Sequence, residues 1–173
     1  ESQLDGDFEG YRKLIPSTPL YGEITHCIHY GKQIQTGAER TRKTTPQMYH
    51  ALAHSFLNRG ADGISFFNFV YTRKHNLGNG IQLDNFEPPF FIIKNITDSN
   101  FLEKQDKHYF IGGNRIPETD WVWAEQLPTL LKTGDPIDIK IHIAEQNVRL
   151  THKKAIARLY SATQQIEKKD IKL

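Results

Sequence analysis

The stretch from Thr44 to Tyr71 constrains the fold most, because a capped helix passes there straight into an apolar strand. A Thr44 or Thr45 hydroxyl can accept a hydrogen bond from the open N–H groups of a helix's first turn. Pro46 suits the first helical position, where no N–H is needed. Met48, Leu52, Ala53, Phe56 and Leu57 recur at helical spacing, and Gly60 can adopt the left-handed conformation that ends a helix. The run 61–71 that follows is almost continuously apolar and bounded by turn residues. That pattern fits a strand buried on both faces of a parallel sheet flanked by helices.

Upstream, 20–28 reads as a strand of mixed character. A short helix over 8–15 precedes it, with Tyr11, Leu14 and Ile15 on one face, and Pro16-Ser17-Thr18-Pro19 stops that helix. A polar loop is expected from about Gly31 to Lys43. The order is then helix, strand, loop, helix, strand, which is βαβ order and suits a parallel α/β sheet or barrel. Two strands do not close a barrel, so the reading expects partner strands elsewhere. The ends, Glu1-Ser2-Gln3-Leu4 and Lys169-Asp170-Ile171-Lys172-Leu173, read as those of a piece cut from a longer protein.

Past Tyr71 the pattern changes. Pro88-Pro89 is a rigid stop, and Thr97 or Asp98 could cap a helix running to about His108. From Trp121 the period shifts toward two, and Ile137, Ile139, Ile141 and Ile143 alternate with polar residues. Such alternation marks a half-exposed antiparallel strand. Residues 1–118 are therefore expected to form the α/β part, and 119–173 a β-sandwich-like domain.

Charge excludes some partners. Lys and Arg number 22 against 20 Asp and Glu, a net charge of +2, so nothing marks a surface for nucleic acid. No apolar run approaches the ~18 residues of a membrane span. The single cysteine excludes an internal disulfide and a Cys-rich zinc site. With 10 Phe, 7 Tyr and 2 Trp, the chain has the bulk for a packed core.

Three pieces taken in order carry a resemblance: Pro19-Leu20-Tyr21-Gly22-Glu23-Ile24, the helix from Thr45 to Gly60, and Gly60-Ala61-Asp62-Gly63-Ile64-Ser65-Phe66-Phe67-Asn68. Together they resemble the last two β/α units of bacterial glycoside-hydrolase-like (β/α)8-barrel proteins of the TIM type, which carry a C-terminal β-sandwich. The similarity covers roughly 8–145. It implies that 20–28 is strand seven, the helix after Pro46 is helix seven, and 64–71 is strand eight. It also implies a carbohydrate ligand and an exported protein, with the remainder of the barrel as partner if the chain is a fragment.

Candidate site residues follow from where such barrels work, at the C-terminal ends of their strands. Glu23 is a carboxylate within an otherwise apolar strand, costly to bury unless paired or used. By the resemblance it is a candidate catalytic carboxylate, one half of the pair that glycoside hydrolysis needs. Otherwise it is salt-bridged to an Arg or lines a sugar subsite. Tyr21, Glu23 and Thr25 share one strand face by period two. His26 lies just past Glu23, Asn68 near the end of the second strand, and Tyr71 and Arg73 directly after it. These four and Tyr21 are candidates to border a cleft and bind substrate.

No cofactor or metal is called for. His26 and His29 would point to opposite faces of a strand. His50 and His54 have the i, i+4 spacing that can clamp a metal, but no Glu follows His50, and the helix reading puts both on a solvated edge. Cys27 reads as a small buried hydrophobe. Tyr30, Trp121 and Trp123 are further aromatic candidates, the two Trp residues more for packing at a domain junction than for stacking on sugar. Arg40, Arg42 and Lys43 read as a solvated loop. Two functions compete: a part of a glycoside hydrolase, or a carbohydrate-binding or scaffold module that kept the form without the chemistry. An esterase is disfavoured, since no Gly-x-Ser-x-Gly elbow is present.

Overall fold

A computed structural model describes residues 6–32, 39–70, 87–111 and 136–144. In chain order the elements are helix α1 (Phe8–Leu14), strands β1 (Tyr21–Thr25), β2 (Cys27–Lys32) and β3 (Glu39–Lys43), helix α2 (Pro46–Asn58) and strand β4 (Gly63–Phe67). A 3-10 helix (Phe90–Asn95) and helix α3 (Ser99–Glu103) follow.

Local chemistry sets α2 as the sequence suggests. The Thr45 hydroxyl accepts from the Met48 N–H at 3.3 Å, Pro46 opens the helix, and Gly60 closes it with φ at +102°. Every residue from Met48 to Phe56 is buried, so α2 is enclosed on all sides rather than along one stripe. It packs on β1 and β4 on one side and on α3 and the 3-10 helix on the other. Its Tyr49 and Phe56, with Ile24, Ile92 and Leu102, fill the core.

Strands β1 and β4 lie side by side and parallel, with Tyr21 opposite Gly63, Glu23 opposite Ser65 and Thr25 opposite Phe67. With α2 between them in sequence, they form the βαβ unit that the spacing implies. Among the described residues this is a two-stranded sheet. Among the described residues the face toward α2 is the better covered: Gly22 and Ile24 are buried there, while on the other face Glu23, Ser65 and Phe67 are exposed and Thr25 and Gly63 are buried. The expectation that the second strand is buried on both faces is corrected accordingly. The strand also ends at Phe67 rather than at Tyr71, because Asn68 turns left-handed there.

Strand 20–28 is corrected as well, since it breaks at His26 into two strands of different sheets. Cys27–Lys32 turns away to pair antiparallel with Glu39–Lys43, so residues 39–43 of the expected polar loop form a strand. Charged Arg40, Arg42 and Lys43 hide that strand from a hydrophobic pattern, although ladder bonds are indifferent to side-chain charge. Helix 99–108 is shortened to Ser99–Glu103. The N–H groups of Lys104 and Gln105 bond three residues back, to Phe101 and Leu102, and tighten the last turn to a stop. Asp98 is its N-cap, accepting from the Phe101 N–H at 3.1 Å. Residues 136–144 form neither helix nor paired strand among the described residues, and Ile137, Ile141 and Ile143 are all exposed. The domain boundary at 118/119 lies outside the described residues.

Helix α1 docks by a different face from the one its sequence suggested. Tyr11 and Leu14 are 58% and 79% exposed, whereas Phe8 stacks on Phe56 with ring centroids 4.6 Å apart. Arg59 reaches Glu9 with two hydrogen bonds of 2.8 and 2.7 Å and holds its carboxyl at about 2, well below the ordinary value. Arg12 donates to the Gly60 carbonyl and to Asp62.

Two outcomes test this packing. A Cβ at Gly22 would run into the Phe56 ring, so Gly22→Ala is expected to cost about 1–3 kcal/mol in urea unfolding. That loss should shrink in a Phe56→Leu background; equal losses in both would show that α2 does not press on Gly22. Arg12→Met is expected to raise amide exchange across 8–20 by roughly tenfold, the worth of one charge-assisted hydrogen bond. Unchanged protection would show the Arg12 contacts to be idle.

Candidate functional site

The face of the β1–β4 pair away from α2 carries Tyr21, Glu23 and Thr25 from one strand and Gly63, Ser65 and Phe67 from the other, matched across the register; Thr25 and Gly63 are buried and the other four are exposed. Tyr21 is 60% and Phe67 47% exposed, and Glu23 and Ser65 stand between them. Two aromatic rings thus flank a carboxylate and a hydroxyl. Since Glu23 is exposed, the burial cost that the sequence suggested does not arise among the described residues. It sits at the third of five strand positions rather than at the strand end.

The C-terminal end of the pair is tied to the start of α2. The His26 N–H donates to the Phe67 carbonyl at 3.2 Å, extending the parallel ladder by one step. The His26 carbonyl accepts from the Thr44 N–H at 3.0 Å, and the buried Thr44 hydroxyl donates to the Thr25 carbonyl at 2.8 Å. The Thr25 hydroxyl donates to the Cys27 carbonyl and accepts from the Cys27 N–H at 3.2 Å. These bonds fix the kink that sends β2 into its own sheet.

His26 is half-buried at this end, and exposed Asn68 follows Phe67 directly with φ at +52°. Asparagine is one of the few residues that tolerate the left-handed region. The structure therefore brings His26 and Asn68 to one rim, with Glu23 and Tyr21 further back along the same sheet. Tyr71, Arg73, Trp121 and Trp123 lie outside the described residues. Cys27 is buried, in keeping with its reading as a small hydrophobe.

The placement of His50 and His54 is a correction. Both are buried rather than solvated, and α3 with the residues after it covers His50. Among the described residues no group of three or more His, Cys, Asp or Glu side chains could hold a metal ion. No described helix is long and apolar enough to cross a membrane.

Sequence reasoning missed the residues that lock the opposite end of the strand pair. Asp62 donates its N–H to the Leu20 carbonyl at 2.7 Å and accepts the Leu20 N–H on its carboxylate at 2.8 Å. The Leu20 bond and then Arg12 hold the Asp62 carboxyl below its ordinary value. The one available signal was Asp62 between small residues just before an apolar strand, a place where a short side chain can cap a neighbouring strand. Arg12 carried none.

Comparison of the chain with protein-family models, curated proteins and solved structures finds no match in any of the three.

Asn68 offers a test that separates backbone from side chain. Asn68→Gly should leave stability unchanged, whereas Asn68→Ala should cost about 1–2 kcal/mol, the penalty for a Cβ in this region. Equal thermal midpoints for the two variants would show that Asn68 is not held left-handed.

Proposed function

We propose that the chain supplies the closing β/α units of a (β/α)8 barrel acting on carbohydrate, with a β-sandwich-like region behind them. In this reading Glu23 is the carboxylate that strand seven contributes to a two-carboxylate hydrolytic site. What supports it is the face of the parallel β1–β4 pair away from α2, where exposed Tyr21 and Phe67 flank Glu23. In a barrel that side is the interior, and helices occupy the other. Sugar rings stack on aromatic faces, which gives Tyr21 its role. His26 and Asn68 would bond hydroxyls at the rim, and Tyr71 and Arg73 would border the same mouth. The remaining strands and the second carboxylate would come from the rest of the barrel, and export of the protein accompanies this reading.

A second reading, a carbohydrate-binding or scaffold module without chemistry, is favoured by one observation. Glu23 is the single carboxylate among the six residues of that face. Hydrolysis needs two, about 5–5.5 Å apart for retention or 6.5–9.5 Å for inversion.

Turnover of aryl glycosides and binding of soluble oligosaccharides by the intact protein decide between them. If Glu23 is catalytic, Glu23→Gln lowers turnover by about 10²–10⁴-fold while oligosaccharide binding persists. Turnover unaffected by Glu23→Gln overturns its role. Oligosaccharide binding without turnover, unchanged in the variant, selects the binding module. The 173-residue chain alone is expected to show no hydrolysis, because in this reading the second carboxylate comes from the rest of the barrel.

A further inference from the structure

Helix α2 turns two histidines one turn apart away from solvent: His50 is 7% and His54 4% exposed. A neutral imidazole can be buried at modest cost, but an imidazolium in the same place loses its hydration. His50 meets Phe101 of α3 with ring centroids 5.9 Å apart and planes at 84°. It also hydrogen-bonds the backbone of Asp106, just beyond α3. The same segment is pinned to α2 again where the His108 N–H donates to the Gln47 carbonyl at 3.0 Å. One residue further, the Tyr109 hydroxyl accepts the Ala144 N–H at 3.2 Å, and the Ala144 carbonyl accepts from the Asn58 amide at 2.7 Å. Residues 99–110 are thus a bridge from the start of α2 to segment 136–144, and His50 is the titratable group under its middle.

We propose that the contact of His50 with Phe101 and Asp106 is an acid-released latch, opened when His50 takes a proton, which frees 99–110 from α2 and loosens 136–144 through Tyr109.

The groups that face His50 set its direction. Asp106 and Lys107 act on it from the segment after α3, where the His108 N–H bonds Gln47; Glu103 and Lys104, at the end of α3, are exposed; His54 stands one turn along its own helix. Burial acts most strongly and disfavours the charged ring, the Asp106 backbone bond opposes it, and the Lys107 ammonium adds repulsion. The net direction is down from the ordinary histidine value of about 6.5. A proton therefore binds more readily when the segment is released than when it is docked. Docking is at full strength above about pH 6.5, weakens as the pH falls below it, and stops weakening once the docked ring itself is protonated.

Amide exchange of the intact chain, corrected for the intrinsic pH dependence of exchange, tests this. Protection at Leu102, Lys104 and Gln105 is expected to fall by up to about tenfold per pH unit below 6.5, the limit for one proton. Protection in β1 and β4 should hold over the same range. His50→Phe keeps a ring beside Phe101 but cannot titrate, so the pH response should vanish; His108→Gln should keep it. A response that is absent in the parent, survives His50→Phe, or disappears in His108→Gln overturns the latch. If His50→Phe does not fold, the ring-carbon shift of His50 in the parent chain serves instead. Its titration midpoint must coincide with the opening of 99–110, and separate midpoints overturn the proposal.

Discussion

The parallel pairing of β1 and β4 depends on what happens at Asp62. Parallel strands adjacent in space but distant in sequence have no turn to fix their register, so something else must. Here one residue bonds Leu20 twice, by its backbone N–H and by its carboxylate. The Arg12 guanidinium binds that carboxylate and the Gly60 carbonyl together, which joins α1, the end of α2 and the start of β4. Asp62 is exposed, so each bond is modest alone. Their effect lies in geometry: with Leu20 and Asp62 joined, Tyr21 falls opposite Gly63, and every later residue of the two strands follows.

The two ends of the seam differ in kind. The N-terminal end is held by charge-assisted bonds from Arg12 and Asp62, with little left over for a ligand. The C-terminal end is held by backbone and hydroxyl bonds through Thr25, His26 and Thr44. Those bonds leave the exposed Asn68 amide uncommitted to the ladder. Barrel folds keep their active sites at the C-terminal strand ends, and the proposed site draws its rim residues from that end.

What the sequence made legible was local. Thr45, Pro46 and Gly60 act within a few residues of themselves, so the bounds of α2 could be read directly. The β1–β4 pairing was legible because a capped helix between two strands leaves few arrangements. What stayed hidden was long-range. Nothing near His50 shows that residues fifty positions later will cover it, and the helical pattern alone puts it on a wet edge. Strand β3 escaped because its pairing rests on backbone bonds to Cys27, Ile28 and His29, while its side chains read as a solvated loop. Arg12 and Asp62, fifty residues apart, were invisible for the same reason. The alternation of Ile137 to Ile143 has no paired strand among the described residues, and most of the β-sandwich-like region expected there lies outside them.

Glu23 shows how far a site can be read from one sheet face. A carboxylate in water is a weak nucleophile and a weak acid at neutral pH; its reactivity comes from what replaces the water. On the β1–β4 face that replacement would begin from Tyr21 and Phe67, which bracket Glu23 without touching α2's side of the sheet. A wall closing over them would desolvate Glu23 and set its chemistry, and a second carboxylate on that wall would complete a hydrolytic pair. A wall without one would leave Glu23 as a hydrogen-bond acceptor between two stacking surfaces, which is what a sugar-binding cleft requires. In the proposed barrel, the difference between enzyme and binding module would rest on a single side chain facing Glu23, with the βαβ frame beneath it identical in both.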